Sequence, residues 1–342
     1  MQNQTIIGSN QTTPSNPVER AIGDVIAMQL AGITYCSLTN NVASTLKYYL
    51  PDWQVVWIPT QAINGNWAFI AYNGVQYVVA IRGSILQFSW AAFDNWFEQD
   101  FNLLEQTSWN YTDDPGANPM ISRGASDGLN DLIQLTDVNG DTILGYLMAN
   151  AVPHKKFIGT VGHSLGGNLA TVYSMYLRYQ ILQAGYQLPA IFSVLTFAAP
   201  TSWNLAFANE FDSSLTNTWR YYGMLDIVPF SACDIIGLGN LYPPPAPAAP
   251  DIYTTYKGSR YTLSEAFDLI QGVITASEIY YDSAYFPVNT QRGAIPLNTD
   301  GQEYKMTSTD PLERWFEQAG QQHDHNHYLD WLGGTGAEVV CR

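Results

Sequence analysis

The sequence predicts an α/β fold in which a mixed, mostly parallel central sheet carries helices on both faces. Residues 156–161 form a short apolar run typical of a buried strand, and residues 168–183 carry apolar side chains at helical spacing. Between them, positions 162–166 read Gly-His-Ser-Leu-Gly, a composition typical of a tight turn. A strand, a sharp turn and a helix in this order predict a sheet strand followed by a helix that packs on one face of the sheet.

The first part of the sheet is predicted to be antiparallel. Residues 67–72 and 75–81 are strand-like runs joined by Asn73-Gly74, a strong hairpin signal because both residues tolerate positive φ. The sheet is therefore expected to change from antiparallel to parallel near residues 156–161. Further strands are expected at residues 54–58, 192–197 and 220–222, and a helix at residues 21–35.

Length and composition favour one large domain. The chain has 342 residues, 46% of them hydrophobic, and no Pro/Gly/Ser-rich linker divides it. Only 13% of the residues are charged, about half of the usual share near 25%. The net charge of −16 argues against nucleic acid and anionic membranes as partners, but not against a neutral lipid. No apolar run reaches the length of a membrane-spanning helix.

The expected location is secreted or extracellular, because the surface must be weakly charged and rich in Tyr and Trp. The N-terminus lacks the basic and apolar regions of a signal peptide, so a cytoplasmic location is also compatible with the sequence. The three cysteines, Cys36, Cys233 and Cys341, leave two alternatives: one disulfide with one free thiol, or three buried thiols. Residues 1–17 are polar and predict a loose N-terminal arm.

Ser164 is the candidate nucleophile. It stands at the centre of a G-x-S-x-G pattern between a strand and a helix, the context of the nucleophile elbow in serine hydrolases. The flanking glycines are needed because a side chain at either position would collide with the neighbouring strand or helix. The turn lifts the hydroxyl to the end of the sheet, where the backbone N–H of Leu165 points towards a developing oxyanion.

A serine nucleophile needs a general base and an acid that orients it. Of the five histidines, His163 lies inside the elbow and His154 lies at the far end of the elbow strand, which leaves three histidines near the C-terminus, namely His323, His325 and His327. Asp226 is the candidate acid, because it follows a Tyr-rich strand and precedes an apolar-Pro turn that fixes its direction. The alternating histidines could also form a metal site, and residues 137–141 weakly resemble a calcium loop that we interpret as a turn.

Taken together, these motifs resemble the class 3 lipases, the fungal-type triacylglycerol lipase family. Asn204 and its neighbours depart from the usual glycine region of the family. The matching elements, in chain order, are Arg82-Gly83-Ser84, the elbow at 162–166, the stretch from Pro200 through Asn209, Asp226-Ile227-Val228-Pro229 and Asp324-His325-Asn326-His327-Tyr328-Leu329.

The resemblance implies one α/β-hydrolase domain that cleaves carboxylic esters of neutral acylglycerols, without a cofactor or a metal. It assigns Ser164 as nucleophile and Asp226 as acid, and the spacing to Tyr328 favours His325 over His323 as base. Ser84 and Leu165 are the implied oxyanion donors. A phospholipase A1, a feruloyl-type esterase and a non-catalytic interaction protein of the same fold remain alternatives.

Two segments are expected around this core. The family carries a helical lid after the Arg-Gly-Ser element, and an aromatic stripe over residues 93–104 predicts an amphipathic helix there: Phe93, Trp96, Phe97, Phe101 and Leu104. Such a helix would open at an oil–water interface, although a fixed core helix would show the same stripe. Residues 231–310 look inserted between acid and histidine, and a capping box at Thr262 predicts a helix running towards Tyr280.

Overall fold

The computed structural model describes residues 22–84, 88–95, 102–190, 192–232, 234–239, 241–242, 251–288, 293–334 and 336–342. The predicted N-terminal arm at 1–17, three aromatic residues of the predicted lid stripe and one cysteine lie outside the described residues; the four single positions are Trp96, Phe97, Phe101 and Cys233.

The strands are β1 (Gln54–Trp57), β2 (Ala68–Tyr72), β3 (Gln76–Ile81), β4 (Gln106–Ser108), β5 (Met120–Ser122), β6 (Phe157–His163), β7 (Phe192–Phe197), β8 (Asn217–Gly223), β9 (Tyr253–Tyr256), β10 (Ser259–Thr262) and β11 (Ile295–Leu297). The helices are α1 (Asp24–Ile33), α2 (Val42–Tyr49), α3 (Trp90–Asn95), α4 (Arg123–Gln134), α5 (Ile143–Asn150), α6 (Leu165–Gln183), α7 (Leu205–Ser214), α8 (Ile235–Leu238), α9 (Leu263–Tyr281), α10 (Pro311–His323) and α11 (His325–Trp331).

The central sheet has seven strands in the order β1-β2-β3-β6-β7-β8-β11. β1, β2 and β3 pair antiparallel, and Tyr72 faces Tyr77 across the predicted Asn73-Gly74 turn. From β3 to β11 every pairing is parallel. The predicted change from antiparallel to parallel pairing therefore occurs where β3 meets the elbow strand β6. Two short hairpins, β4–β5 and β9–β10, lie outside this sheet.

Helices cover both faces of the sheet, as the sequence predicts. Alternate residues of β3 belong to two different cores, because neighbouring side chains of a strand point to opposite faces of the sheet. Val79 faces the core that contains residues of α4, α5, α6 and α7. Val78 faces the core that contains residues of α1, α2 and α11. Within the part of the chain that the structure describes, no helix is long and apolar enough to span a membrane.

A third apolar core lies apart from the two faces of the sheet and joins α3, α8, α9 and α10. Most of it comes from residues 231–310, whose helix α9 begins with the predicted capping box: Thr262 accepts from the Glu265 N–H and the Glu265 carboxylate accepts from the Thr262 N–H. β11 also belongs to residues 231–310, yet it pairs with β8 and extends the central sheet.

The aromatic stripe after the Arg-Gly-Ser element does not form one helix through residue 104. Residues 102–104 are not helical, and Asn102 has a φ of 32°. The carbonyl of Leu103 accepts a hydrogen bond from the Tyr285 hydroxyl at 2.8 Å, and the carbonyl of Leu104 accepts one from Ser277 Oγ at 2.9 Å. Because the described residues 102–104 are not helical, the expected helix over residues 93–104 is wrong at its C-terminal end.

The segment before the sheet is tied to the end of the chain by a disulfide between Cys36 and Cys341, which are 305 positions apart. This bond settles the pairing that the sequence left open. It anchors the 3₁₀ turn at Thr34–Thr39 beside α11 and the elbow.

Candidate active site

The elbow forms at the carboxyl end of β6. Ser164 directly follows the strand, adopts φ 60° and ψ −134°, and is the residue that precedes the first turn of α6. Its N–H donates to the carbonyl of Phe197 on the neighbouring strand, and its carbonyl accepts from the N–H of Gly167. Because Leu165 opens α6, its N–H has no partner within the helix and is available to an anion.

Close backbone contacts explain the glycines of the elbow. A Cβ on Gly162 would lie 2.0 Å from the carbonyl oxygen of Gly166, and a Cβ on Gly166 would lie 2.3 Å from the carbonyl oxygen of Ile81. Neither position therefore tolerates a side chain. The same crowding applies to Gly83, where a Cβ would lie 2.6 Å from the carbonyl oxygen of His163.

The Arg-Gly-Ser element follows β3 and lies beside the elbow, because β3 and β6 are paired up to Ile81 and Gly162. Arg82 is buried and anchors this element, since its guanidinium donates to Ser37 Oγ and to the carbonyl of Gly65. Burial lowers the pKa of Arg82. The two predicted oxyanion residues, Ser84 and Leu165, both line a single cavity at this edge of the sheet.

That cavity has a volume of about 360 Å³ and a wall of mixed character in which polar groups slightly predominate. Asp131 lies in the wall and accepts hydrogen bonds from Asn64 and Asn66, at 3.0 Å and 2.9 Å. Asp127 also lines the cavity. Such a lining is better suited to water or an alcohol than to an acyl chain.

Asp226 is fully buried and lies just after β8. One carboxylate oxygen accepts from the N–H of Val228 at 2.9 Å, and the other accepts from the hydroxyl of Tyr328 at 2.8 Å. The Tyr328 hydroxyl in turn accepts from the N–H of Gly223. The carboxylate is therefore held in a fixed direction, as its turn predicts, and burial beside Asp226 raises the pKa of Tyr328 well above its ordinary value.

The histidine that meets this acid is His323. Its Nδ1 lies 2.8 Å from Oδ2 and 3.0 Å from Oδ1 of Asp226. His323 is the last residue of α10 and is buried. Its ring centroid lies 4.7 Å from that of His163, the residue before Ser164. The structure thus brings an acid, an imidazole and the elbow serine to one place.

The expectation that His325 is the base is corrected by this geometry. Asp324 ends α10 and caps α11 by accepting the N–H of Asn326, so His325 begins a new helix. α11 packs beside α1, and the His325 ring stacks on Tyr35 at 5.3 Å between centroids. His327 lies further out, where Nδ1 is 2.6 Å from the carbonyl oxygen of Gln321 and the ring stacks on Tyr304.

The sequence motifs do not point to Tyr35, which contacts both His163 and His325. Its hydroxyl lies 3.0 Å from His163 Nδ1, and its ring stacks on His325. Burial lowers the pKa of His163 well below its ordinary value, and the nearby His323 and His325 lower it further. His163 is therefore neutral at neutral pH. The position of Tyr35 next to Cys36 is the one signal for this contact in the sequence. It could not be used because the sequence does not show that Cys36 pairs with Cys341.

Both reactive atoms are covered in this structure. Ser164 Oγ and His323 Nε2 are buried, and neither has a hydrogen-bond partner among the described residues. The Phe88 ring lies over His323, with 5.3 Å between ring centroids. Trp90 and Phe93 of α3, two and five residues further on, are buried in the third core. Phe88 therefore covers the site on the side of His323, and α3 after it is held in the third core.

Comparisons with known proteins relate the sequence and the fold to lipases. Residues 78–234 match the family model described as lipase (class 3). The fold is similar to the crystal structure of M37 lipase, at 24% identity over 92% of both chains with a TM-score of 0.67. A lipase from Rhizopus microsporus var. chinensis is matched at 20% identity over 67% of this chain and 79% of that one, with a TM-score of 0.47. No curated protein sequence matches the chain.

Proposed function

Because residues 78–234 match the class 3 lipase model, we propose that this chain is a lipase of that family and hydrolyses the esters of neutral acylglycerols through an acyl-enzyme on Ser164. The observation that carries the proposal is the bond from His323 Nδ1 to the buried carboxylate of Asp226. It leaves the opposite ring nitrogen free to act as a base, next to the elbow that presents Ser164. His323 replaces His325 in this assignment.

In the first half of the reaction, Nε2 of His323 takes the proton of Ser164 as Oγ attacks the ester carbonyl. The C–O bond to the leaving alcohol then breaks, and the same nitrogen returns the proton to the alcohol. Asp226 keeps Nδ1 protonated and stabilises the imidazolium that forms. The Tyr328 hydroxyl and the Val228 N–H hold the carboxylate in place during both transfers.

In this mechanism, the negative charge that develops on the ester carbonyl oxygen lies next to the start of α6. The N–H of Leu165 is one donor, and Ser84, which lines the same cavity, is the second. Donors fixed before the reaction act without reorganisation, and loss of one typically costs on the order of 10²–10³ in kcat.

In the second half, water loses a proton to His323 Nε2 and attacks the acyl carbon. The acyl–serine bond breaks, Oγ of Ser164 recovers the proton, and a carboxylic acid leaves. The cavity beside Ser84 and Leu165 supports this assignment because it offers water a place next to the acyl group.

Titration with a p-nitrophenyl alkyl phosphonate tests the proposal. The protein should release one equivalent of nitrophenol and lose its activity, whereas Ser164→Ala should release none and should retain its fold by circular dichroism. Undiminished ester hydrolysis by Ser164→Ala would contradict the assignment. A panel of emulsified triacylglycerol, phosphatidylcholine and a feruloyl ester then separates a lipase from a phospholipase A1 or a feruloyl-type esterase.

The disulfide supports a location outside the cytosol. Structural disulfides persist in oxidising compartments and are rare where glutathione keeps thiols reduced. The bond between Cys36 and Cys341 lies in the segment that carries Tyr35, which contacts the elbow through His163. We therefore propose that the protein functions in an oxidising environment, in line with the secreted or extracellular location expected from its composition.

A further inference from the structure

Helix α9 has two apolar faces, of which only one is used in the fold. The buried face packs into the third core and consists of Leu263, Ala266, Phe267, Ile270 and Ile274, with Ser277. On a helix of 3.6 residues per turn, a second set of apolar residues occupies an arc of about 120° that adjoins the buried face at the partly buried Val273. This outer stripe consists of Leu269, Gly272, Val273, Ala276, Ile279 and Tyr280.

The outer stripe faces solvent. The exposed fraction is 41% for Leu269, 76% for Ile279 and 81% for Tyr280. From Leu269 to Tyr280 the stripe extends about 16 Å along the helix axis. Single exposed hydrophobic residues need no explanation, but an ordered stripe on a surface helix marks a contact with another apolar phase.

Most polar residues of α9 lie on one side of the helix between the two apolar faces, Glu265 lies at the N-terminal end of the outer stripe, and none carries a positive charge. They include Asp268 and Glu278, and neither Lys nor Arg occurs anywhere in α9. A helix that lies on an anionic membrane normally carries Lys and Arg beside its apolar face. The stripe therefore fits an uncharged apolar surface, and the net charge of −16 acts in the same direction.

The position of α9 relates this stripe to the active site. Phe267, on the buried face of α9, contacts both aromatic residues of α3: the ring centroids are 6.3 Å apart for Trp90 and 5.8 Å apart for Phe93. Phe88, two residues before α3, covers His323. α9 is thus packed against the segment that covers His323, with its second apolar face turned outwards.

We infer that the outer stripe of α9 is an adsorption surface for a neutral ester–water interface, separate from the segment that covers His323. The inference rests on the proposed function, since it concerns how that substrate is reached. In this inference, α9, which is fixed in the third core, binds the interface first and tethers the enzyme to it. Tyr280 suits this role, because an aromatic ring with a hydroxyl prefers the boundary between apolar and aqueous phases.

The test measures adsorption of Ser164→Ala protein to triolein droplets, so that binding is observed without turnover. Combining Ile279→Ser with Tyr280→Ser should weaken adsorption about tenfold or more, because both side chains lose apolar area in contact with oil. Val138→Ser is the matched control, since Val138 is 82% exposed in the loop between α4 and α5. Adsorption of this control should be unchanged.

Three adsorption results would each overturn the inference: unchanged adsorption of the double variant, equal loss in the Val138 control, or stronger adsorption when the droplets are doped with an anionic lipid. A dimer in sedimentation that the double substitution dissociates would also overturn it, because a second copy would then cover the stripe. Hydrolysis of dissolved p-nitrophenyl butyrate is measured in parallel, with variants that keep Ser164. It should be unchanged, and its absence in the unmodified protein would instead refute the proposed function.

Discussion

The elbow and the C-terminal histidine segment contribute to the same site, but different forces determine their geometry. The elbow is fixed locally, since Gly162 and Gly166 have no room for a Cβ and Ser164 is forced to a positive φ. The histidine segment is fixed by distant partners, since His323 meets Asp226 from β8 and His325 meets Tyr35 from the N-terminal segment. A local motif is therefore enough to propose the nucleophile, whereas only the tertiary structure distinguishes one histidine from its neighbour.

Asp226→Asn should cause a large loss of activity that comes from the histidine segment alone. An amide cannot hold Nδ1 of His323 as a donor in the way the carboxylate does, so kcat should fall by roughly 10⁴ while the elbow is unchanged. Steady-state hydrolysis of a dissolved ester measures the loss. The reaction of the variant with the phosphonate should slow in parallel. Full activity in the variant would show that Asp226 takes no part in the reaction.

Trp90→Ala tests whether α3 is part of a core or a free flap. The Trp90 indole N–H donates to the carbonyl of Thr255 at 2.9 Å, and the ring packs on Phe267 and Phe316. We expect loss of about 3–5 kcal/mol of unfolding free energy, as for other buried tryptophans. Denaturant unfolding is the measurement.

A Trp90→Ala protein with unchanged stability and a lower rate on emulsified substrate would show instead that α3 leaves its core during the reaction. Trp219→Ala offers a comparison, because Trp219 is only partly buried on β8 and packs beside the core on the other side of the sheet. It should cost less stability than Trp90→Ala.

His325→Phe should have the smallest effect, confined to the pH dependence of stability. Burial lowers the pKa of His325 below its ordinary value of 6.5, so the unfolded chain binds a proton that the folded chain does not. Stability therefore falls as the pH drops through this value, by at most about 1.4 kcal/mol per pH unit for one proton.

Phenylalanine keeps a ring against Tyr35 but cannot titrate, so the loss of Tm between about pH 7.5 and pH 5.5 should be smaller in this variant. His163, whose pKa is also lowered by burial, remains in both proteins and preserves part of the slope. An identical slope in the two proteins would exclude His325 as a contributor.

Much of the fold could be predicted because local chemistry determines it. Asn73-Gly74 specifies a hairpin, the elbow glycines specify a strand–turn–helix unit, and the capping box at Thr262 specifies the start of α9. These signals involve residues within a few positions of one another. The structure and the family match confirm the predicted α/β-hydrolase fold and the resemblance to class 3 lipases.

The features that could not be predicted depend on contacts between distant segments. The disulfide joins positions 305 residues apart, and its pairing follows from where α1 and α11 pack. The helix expected to reach residue 104 is not helical at residues 102–104, where the carbonyls of Leu103 and Leu104 are held by the distant Tyr285 and Ser277. His323 was the less favoured alternative because the sequence shows the spacing to Tyr328 but not that Asp324 ends one helix and caps the next.

His323, and not His325, is the proposed base, because its Nδ1 meets the carboxylate of Asp226. The direct measurement is kcat/KM for a dissolved p-nitrophenyl ester with His323→Ala and His325→Ala, together with rescue by added imidazole. His323→Ala should lose activity by a factor on the order of 10⁴–10⁶ and regain part of it with imidazole, as expected when a triad base is removed. His325→Ala should stay within about tenfold of the unmodified protein, since its ring only packs on Tyr35 and lies outside the acid–base pair. The reverse pattern, with collapse and imidazole rescue in His325→Ala alone, would contradict the account.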